Sequence, residues 1–162
     1  MQQGRPQLDE WEGSKNRHNR IVSVKVAAND AGSDGAEFCV ATYHMPCAFY
    51  NQKLMVVHTA LAAQKALDFA NGLPLVLCGD WNFKPGDASY NFMTTGELDK
   101  EDAAYPDYLA HDPWRIEDGM VKGGLKSAYA SVNGGAEPPF TNYAQTVRDS
   151  EQIGRASCRE RV

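Results

Sequence analysis

Three side chains able to do acid–base or phosphate chemistry stand at the ends of apolar runs. CVATYH (39–44) ends in His44, and LPLVLCGDWN (73–82) carries Asp80 and Asn82 just past its apolar part. In open α/β sheets, ligands gather at the carboxyl ends of strands, so strand-terminal residues are the first to consider. Gly79 lets the backbone come close to a ligand or a neighbour. If strand geometry continues, Asp80 and Asn82 at i and i+2 point the same way. That set suits phosphoester hydrolysis. A carboxylate can accept a proton from attacking water, while an amide beside it orients the water or a phosphate oxygen. A histidine on an adjacent strand can donate a hydrogen bond to a phosphoryl oxygen as charge builds, and a divalent metal would share that load. The plainer reading is structural. An Asp-x-Asn after an apolar run commonly forms an Asx-turn or cap, and a lone histidine at a strand end is more often structural than chemical. Spacing alone leaves the two readings balanced.

The elements that must position these residues are legible. IVSVKVAA (21–28) sets Val22, Val24 and Val26 against Ser23 and Lys25, the two-residue period of a half-buried strand. NDAGSDGA (29–36) is a turn, and EFCVATYHMP (37–46) a second strand that Pro46 ends, so the two should pair antiparallel. In YNQKLMVVHTALAAQKALDFANG (50–72), Val56, Ala60, Ala63, Leu67 and Ala70 fall at helical spacing. Met55, Ala62, Ala66 and Phe69 widen that stripe, and Gly72 is the expected stop. LPLVLC (73–78) is wholly apolar, which predicts a strand covered on both faces. After a Pro85-Gly86 turn, Asp87 is placed to cap a short helix running to about Thr95, closed by Gly96.

Residues 97–139 read as mostly irregular, with turn-rich AYPDYLAHDPW and SVNGGAEPP, and FTNYAQ (140–145) as one more strand. A long irregular stretch in a compact domain usually carries function or wraps an edge. Residues 1–20 are polar and without periodicity, a loop or ragged edge. The last ten residues, IGRASCRERV (153–162), show no core-facing period. Their three Arg and one Glu leave residues 1–152 at −7 against −5 for the whole chain. They are expected to be a tail foreign to the domain.

At 162 residues and 43% hydrophobic, the chain can build one core. Its net charge of −5 argues against holding nucleic acid by bulk electrostatics, though not against gripping a few phosphates locally. No apolar run approaches membrane-spanning length, and no secretory signal pattern opens the chain. The four cysteines (Cys39, Cys47, Cys78, Cys158) make no CxxC pair, so free thiols in a reducing compartment are expected, with Cys39 and Cys78 in the core. His58 in the helix and His111 in a loop lack metal-spaced partners and read as structural or solvated. Tyr105, Tyr108 and Trp114 could stack on a base, but loop packing is the commoner role.

ATYHMPCAF (41–49), the helix after it, and LPLVLCGDWNFKPGDASYNFMTTGEL (73–98) resemble the endonuclease/exonuclease/phosphatase superfamily, the DNase I-like fold. The nearest branch is the deadenylase and nocturnin-like one. Its GDFN-x-x-P-x-x-x-x-Y element is matched by Gly79, Asp80, Asn82, Pro85 and Tyr90, with Trp81 where Phe is usual. RHNRIVSVKV (17–26) and FTNYAQTVRDS (140–150) are in the same style, so the resemblance covers roughly residues 17–151. It implies Asp80 as general base, Asn82 as its partner on water and phosphate, His44 as a phosphate contact, and Asn142 as a substrate-binding residue at the rim. It also implies Mg²⁺ or Mn²⁺ as cofactor. The family's metal-ligating Glu stands in a Gln-Glu context after an early strand, and Glu10 and Glu12 lie too close to RHNR to be that residue. No Asp-Tyr strand or terminal Asp-His pair follows TVRDSEQ. The metal ligands are therefore left unassigned.

The expected fold is a four-layer α/β sandwich of the DNase I-like type, two packed sheets flanked by helices, truncated at both ends. Residues 1–20 form its edge, 21–152 a partial catalytic domain, and 153–162 the atypical tail. The expected function is metal-dependent phosphodiester hydrolysis, nuclease-like and of the 3′ exonuclease or deadenylase kind, the fragment by itself being inactive or nearly so. Nucleic acid, RNA favoured, is the expected partner, in an intracellular and cytoplasmic setting, with no membrane partner and no sign of an oligomer. The alternatives are a hydrolase of a small phosphorylated molecule and a non-catalytic relative that binds RNA or protein. A calcineurin-type phosphoesterase is disfavoured, since neither its Gly-Asn-His-Asp/Glu segment nor its Asp-x-His strand occurs.

Overall fold

A computed structural model of the chain describes residues 13–14, 17–29, 35–107, 114–119 and 123–141. In chain order these form β1 (Ile21–Ala27), β2 (Glu37–His44), α1 (Gln52–Ala70), β3 (Leu75–Asp80) and α2 (Ala88–Thr95). A 3-10 turn (Ile116–Gly119) and a short α3 (Ala128–Val132) follow. The strands make one sheet in the order β1-β2-β3. β1 runs antiparallel to β2, with Ile21 opposite Tyr43 and Ala27 opposite Glu37, the pairing expected from the sequence. β3 is parallel to β2, from Cys39 opposite Leu75 to His44 opposite Asp80. A parallel pair needs a crossover, and α1 supplies it.

α1 starts at Asn51, whose side chain accepts from the Leu54 N–H at 3.0 Å. Its last residue is Ala70 and its C-cap is Asn71, one residue before the expected Gly72. Asn71 adopts the left-handed conformation at φ 48° and donates its N–H to the Leu67 carbonyl, and amide-bearing asparagine tolerates that geometry. Residues 54–60 are buried all round because the helix lies between two layers. On the sheet side, Leu54, Met55 and Ala62 join Tyr43, Met45, Trp81 and Phe83. On the other side, Val56, Val57 and Ala60 join Phe92, Ala104 and Ile116. Two small cores thus share one helix, and a two-sided burial needs apolar residues beyond one stripe. Phe69, expected in the stripe, is instead exposed near the helix end.

His58 sits inside this double core with its Nδ1 3.1 Å from the Tyr43 hydroxyl. Burial pushes the His58 imidazole down to about 4, and the charge of Arg17 adds to that against the opposing Ser14 backbone. Burial likewise raises the Tyr43 phenol to about 12. Both groups are neutral at physiological pH, the form a dry interior prefers.

β3 corrects one expectation. Among the described residues it is not covered on both faces: its burial alternates, with Leu75 and Leu77 half-buried and Val76 and Cys78 exposed. Among the described residues only one sheet is present, so nothing packs on the second face. Cys78 is therefore no core residue, though its thiol donates to the Ala41 carbonyl at 3.4 Å, while Cys39 is fully buried. The three described cysteines are free.

The Lys84–Asp87 turn forms as read, with Asp87 N–H to Lys84 O at 3.0 Å and Gly86 at φ 91°. Asp87 occupies the N-cap position of α2 but does not cap it. Its carboxylate turns back to accept from the Lys84 N–H, because the tight turn brings that donor closer. α3 and the 3-10 turn were not anticipated; both are too short to impose a period on the sequence. Of FTNYAQ, only Phe140 and Thr141 are described, and neither is in a strand. His111, Tyr108, Cys158 and the 153–162 tail lie outside the described residues. No helix among the described residues is long and apolar enough to cross a membrane.

Candidate functional site

His44 and Asp80 are 36 residues apart in sequence and directly opposite each other across the parallel β2–β3 pair. Each is the last residue of its strand. The register brings the His44 Nε2 to 3.4 Å from the Asp80 Oδ2. The His44 side chain is 73% exposed and that of Asp80 34%, so the pair opens to solvent on the uncovered sheet face. A carboxylate and an imidazole so placed can exchange or share a proton with a ligand lying over both.

The backbone fixes this geometry. Gly79 sits at φ 135°, and a Cβ there would come within 1.9 Å of the Tyr43 carbonyl oxygen, so the close approach that glycine permits is to the neighbouring strand. Past the strand end, the Met45 N–H donates to the Asp80 carbonyl at 2.7 Å and extends the pairing. Trp81 and Phe83 then turn inward. Trp81 packs between Tyr43, ring centroids 5.7 Å apart, and Phe83 at 5.8 Å, and Phe83 meets Tyr90 at 6.4 Å. This aromatic ladder anchors the loop that follows Asp80. At its far end the Tyr90 hydroxyl donates to Glu137 at 2.6 Å. Burial first, and then the Glu137 carboxylate, raise the Tyr90 phenol to about 12.

Asn82 does not share the direction of Asp80. The strand stops at Asp80, and Asn82 takes the left-handed conformation at φ 51° with only 5% of its surface exposed. Its side-chain nitrogen donates to the Met45 carbonyl at 2.7 Å, while its backbone N–H donates to the Asp80 Oδ1 at 3.1 Å. The Asx-turn read from the sequence is thus present, and it leaves the Asp80 Oδ2 edge toward His44. Asn82 locks the ends of β2 and β3 together.

The sequence reading gave no role to Asn19, whose side-chain nitrogen donates to the His44 carbonyl at 2.6 Å. The signal was its place in the polar RHNR cluster just ahead of β1, but only the antiparallel return of β2 brings it to His44. The Trp114 indole donates to Gln64 at 3.0 Å and the Tyr105 hydroxyl to Glu117 at 2.7 Å, packing roles for both. Asn142, Glu10 and Glu12 lie outside the described residues. Among the described residues no three His, Cys, Asp or Glu side chains converge as a metal site. Asp80 could give one oxygen to a divalent cation, but these residues do not make a complete ligand set.

Comparison with known proteins supplies relatives. No family model matches the chain. It is 37% identical over 92 residues to the CCR4-Not complex 3'-5'-exoribonuclease subunit Ccr4 of Aspergillus fumigatus, a match spanning 52% of this chain and 12% of that protein. It is 31% identical over 116 residues to the carbon catabolite repressor protein 4 homolog 1 of Arabidopsis thaliana, covering 63% of this chain and 19% of the relative. The human Nocturnin catalytic domain superposes at a TM-score of 0.46 and 19% identity, over 76% of this chain and 44% of that one. The chain therefore spans less than a fifth of the curated relatives it matches. Over the part that aligns, the curated relatives are Ccr4 and Ccr4-homolog proteins.

Proposed function

We propose that this chain is part of a phosphodiester hydrolase acting on RNA, an exonuclease of the deadenylase kind, with Asp80 as its general base. The observation that carries the reading is the His44–Asp80 pair at the carboxyl ends of adjacent parallel strands, 3.4 Å apart and open to solvent. The Aspergillus relative, a 3'-5'-exoribonuclease subunit, supports the substrate class.

In the proposed reaction, the Oδ2 of Asp80 takes a proton from water as the water oxygen attacks phosphorus. The bond from phosphorus to the leaving ribose oxygen breaks, and that oxygen is protonated from solvent. His44 donates to a phosphoryl oxygen as negative charge grows there. Asn82 holds the carboxylate through its backbone N–H and keeps the strand ends together. Asn142 keeps its proposed place at the substrate rim. Mg²⁺ or Mn²⁺ is proposed as cofactor on the family's chemistry; since the described residues lack a full ligand set, no step is drawn through it.

The proposed architecture is the family's two-sheet sandwich, of which residues 21–152 form part of one catalytic domain and 153–162 lie outside it. The share of each relative that the chain covers fits such an arrangement. An intracellular, cytoplasmic setting is proposed with it.

The test uses the full-length protein, assayed with oligoadenylate and with a panel of small phosphomonoesters in Mg²⁺. Asp80→Ala should lower hydrolysis of oligoadenylate about 10²- to 10⁴-fold. Unchanged turnover in that variant would remove Asp80 as the base, and turnover of the phosphomonoesters alone would replace RNA with a small phosphorylated substrate.

A further inference from the structure

Tyr50 is the most exposed aromatic residue among the described ones, at 74%, yet it is not loose. Its hydroxyl accepts a hydrogen bond from the Arg17 guanidinium at 2.7 Å. Its backbone is set by its neighbour Asn51, which caps α1 through its side chain and donates its N–H to the Ala48 carbonyl at 2.9 Å. Most of the ring is thus open to solvent while its hydroxyl is held in place, the mixed apolar and polar character that suits tyrosine to contact surfaces.

The position follows from the same short segment that supports the site. Arg17 lies two residues before Asn19, at most about 7 Å of chain, and Asn19 binds the His44 carbonyl. Tyr50 itself lies six residues past His44, at the entrance to α1. The ring is thus tied, through Arg17 and Asn19, to the backbone at the carboxyl end of β2. The segment that supplies Arg17 is basic despite the chain's net charge of −5, with Arg17 and Arg20 three residues apart. The nearest lysine on α1, Lys53, is already paired with Asp107. Local positive charge beside an exposed aromatic ring is the pairing by which single-stranded nucleic acid is held, backbone on the cations and base on the ring.

We propose that Tyr50, held by Arg17, is a stacking platform for a base of single-stranded RNA next to the phosphodiester presented to His44 and Asp80. The inference rests on the nucleic-acid reading above and adds a specificity-determining residue to it. Tyr50 distinguishes a nucleobase-bearing chain from a bare phosphate polymer. Arg17 orients the ring through its hydroxyl and adds charge for the neighbouring phosphate.

Binding without turnover tests this apart from the hydrolase reading. The full-length protein carrying Asp80→Asn is titrated with a fluorescein-labelled oligoadenylate and with a ribose-phosphate oligomer of equal length lacking bases. Adding Tyr50→Ala should weaken oligoadenylate binding about tenfold and leave the abasic oligomer unchanged. Tyr50→Trp, which keeps a stacking face, should restore most of the affinity. Equal affinity of Tyr50→Ala and its parent for oligoadenylate overturns the proposal, as does an equal loss for both oligomers or a Tyr50→Trp variant no better than Tyr50→Ala. None of these outcomes depends on Asp80 being the base. Failure of the Asp80→Ala assay with a base-dependent loss at Tyr50 would leave a binding surface without that mechanism.

Discussion

The two faces of the sheet are built from similar residues and live in different surroundings. The inner face carries Cys39, Ala41 and Tyr43, all buried beneath α1. The outer face carries Val22, Val24, Phe38 and Val76, between 38% and 58% exposed, and ends in His44 and Asp80. Composition along the strands does not separate them. The partner does: a nineteen-residue crossover helix covers one side, and nothing among the described residues covers the other. The candidate chemistry stands on the open side and its mechanical support on the closed one. A reactive pair must reach a ligand, while the groups that fix it must not move.

That contrast can be broken hardest at the strand crossing. Gly79→Ala should destabilise the chain by about 4 kcal/mol or more in urea unfolding, since its Cβ meets the Tyr43 carbonyl at 1.9 Å and its φ of 135° disfavours any side chain. An alanine variant with unchanged stability would mean the strands are not so close. On the inner side, Trp81→Ala should cost about 3–5 kcal/mol, because it empties the centre of the aromatic ladder. Near-neutral unfolding of that variant would show that the ladder does not anchor the loop.

Acid separates the two faces by another route. His58 has a folded value of about 4 against an ordinary 6.5, so between those pH values the unfolded chain binds a proton that the folded chain refuses. Its contribution is fully present above pH 6.5 and is lost as pH falls toward 4, an upper bound of about 3 kcal/mol. His58→Gln should flatten the stability profile across that window, measured by urea midpoints. An unchanged slope would place the acid sensitivity elsewhere. The smallest effect belongs to the open face. Val76→Thr should shift stability by no more than about 0.5 kcal/mol, and a larger loss would show that the outer face is covered after all.

Much of this molecule could be read in one dimension. The alternation of Val22, Val24 and Val26 placed β1, Pro46 marked the end of β2, and the apolar spacing from Met55 to Ala70 placed α1. Each reflects a periodicity that backbone geometry imposes locally. The reading faltered where a partner decides. An apolar β3 looked buried on both sides because its own residues would suit either setting, and Cys78 was placed inside for the same reason. Asp87 stood at the right place for a cap, but a nearer donor in the turn took its carboxylate.

The site divides in the same way. Residue types and strand ends alone singled out His44, Asp80 and Asn82 as candidates, because reactive side chains after apolar runs are visible without a fold. Which of them meet was a tertiary decision. The parallel register of β2 and β3 set His44 against Asp80, a left-handed turn took Asn82 away from solvent, and the return of β2 brought Asn19 beneath His44. Sequence spacing constrains neighbours a few residues apart, whereas contacts across dozens of residues depend on which strand lies beside which. That choice is made by the packing of α1 against the sheet as a whole.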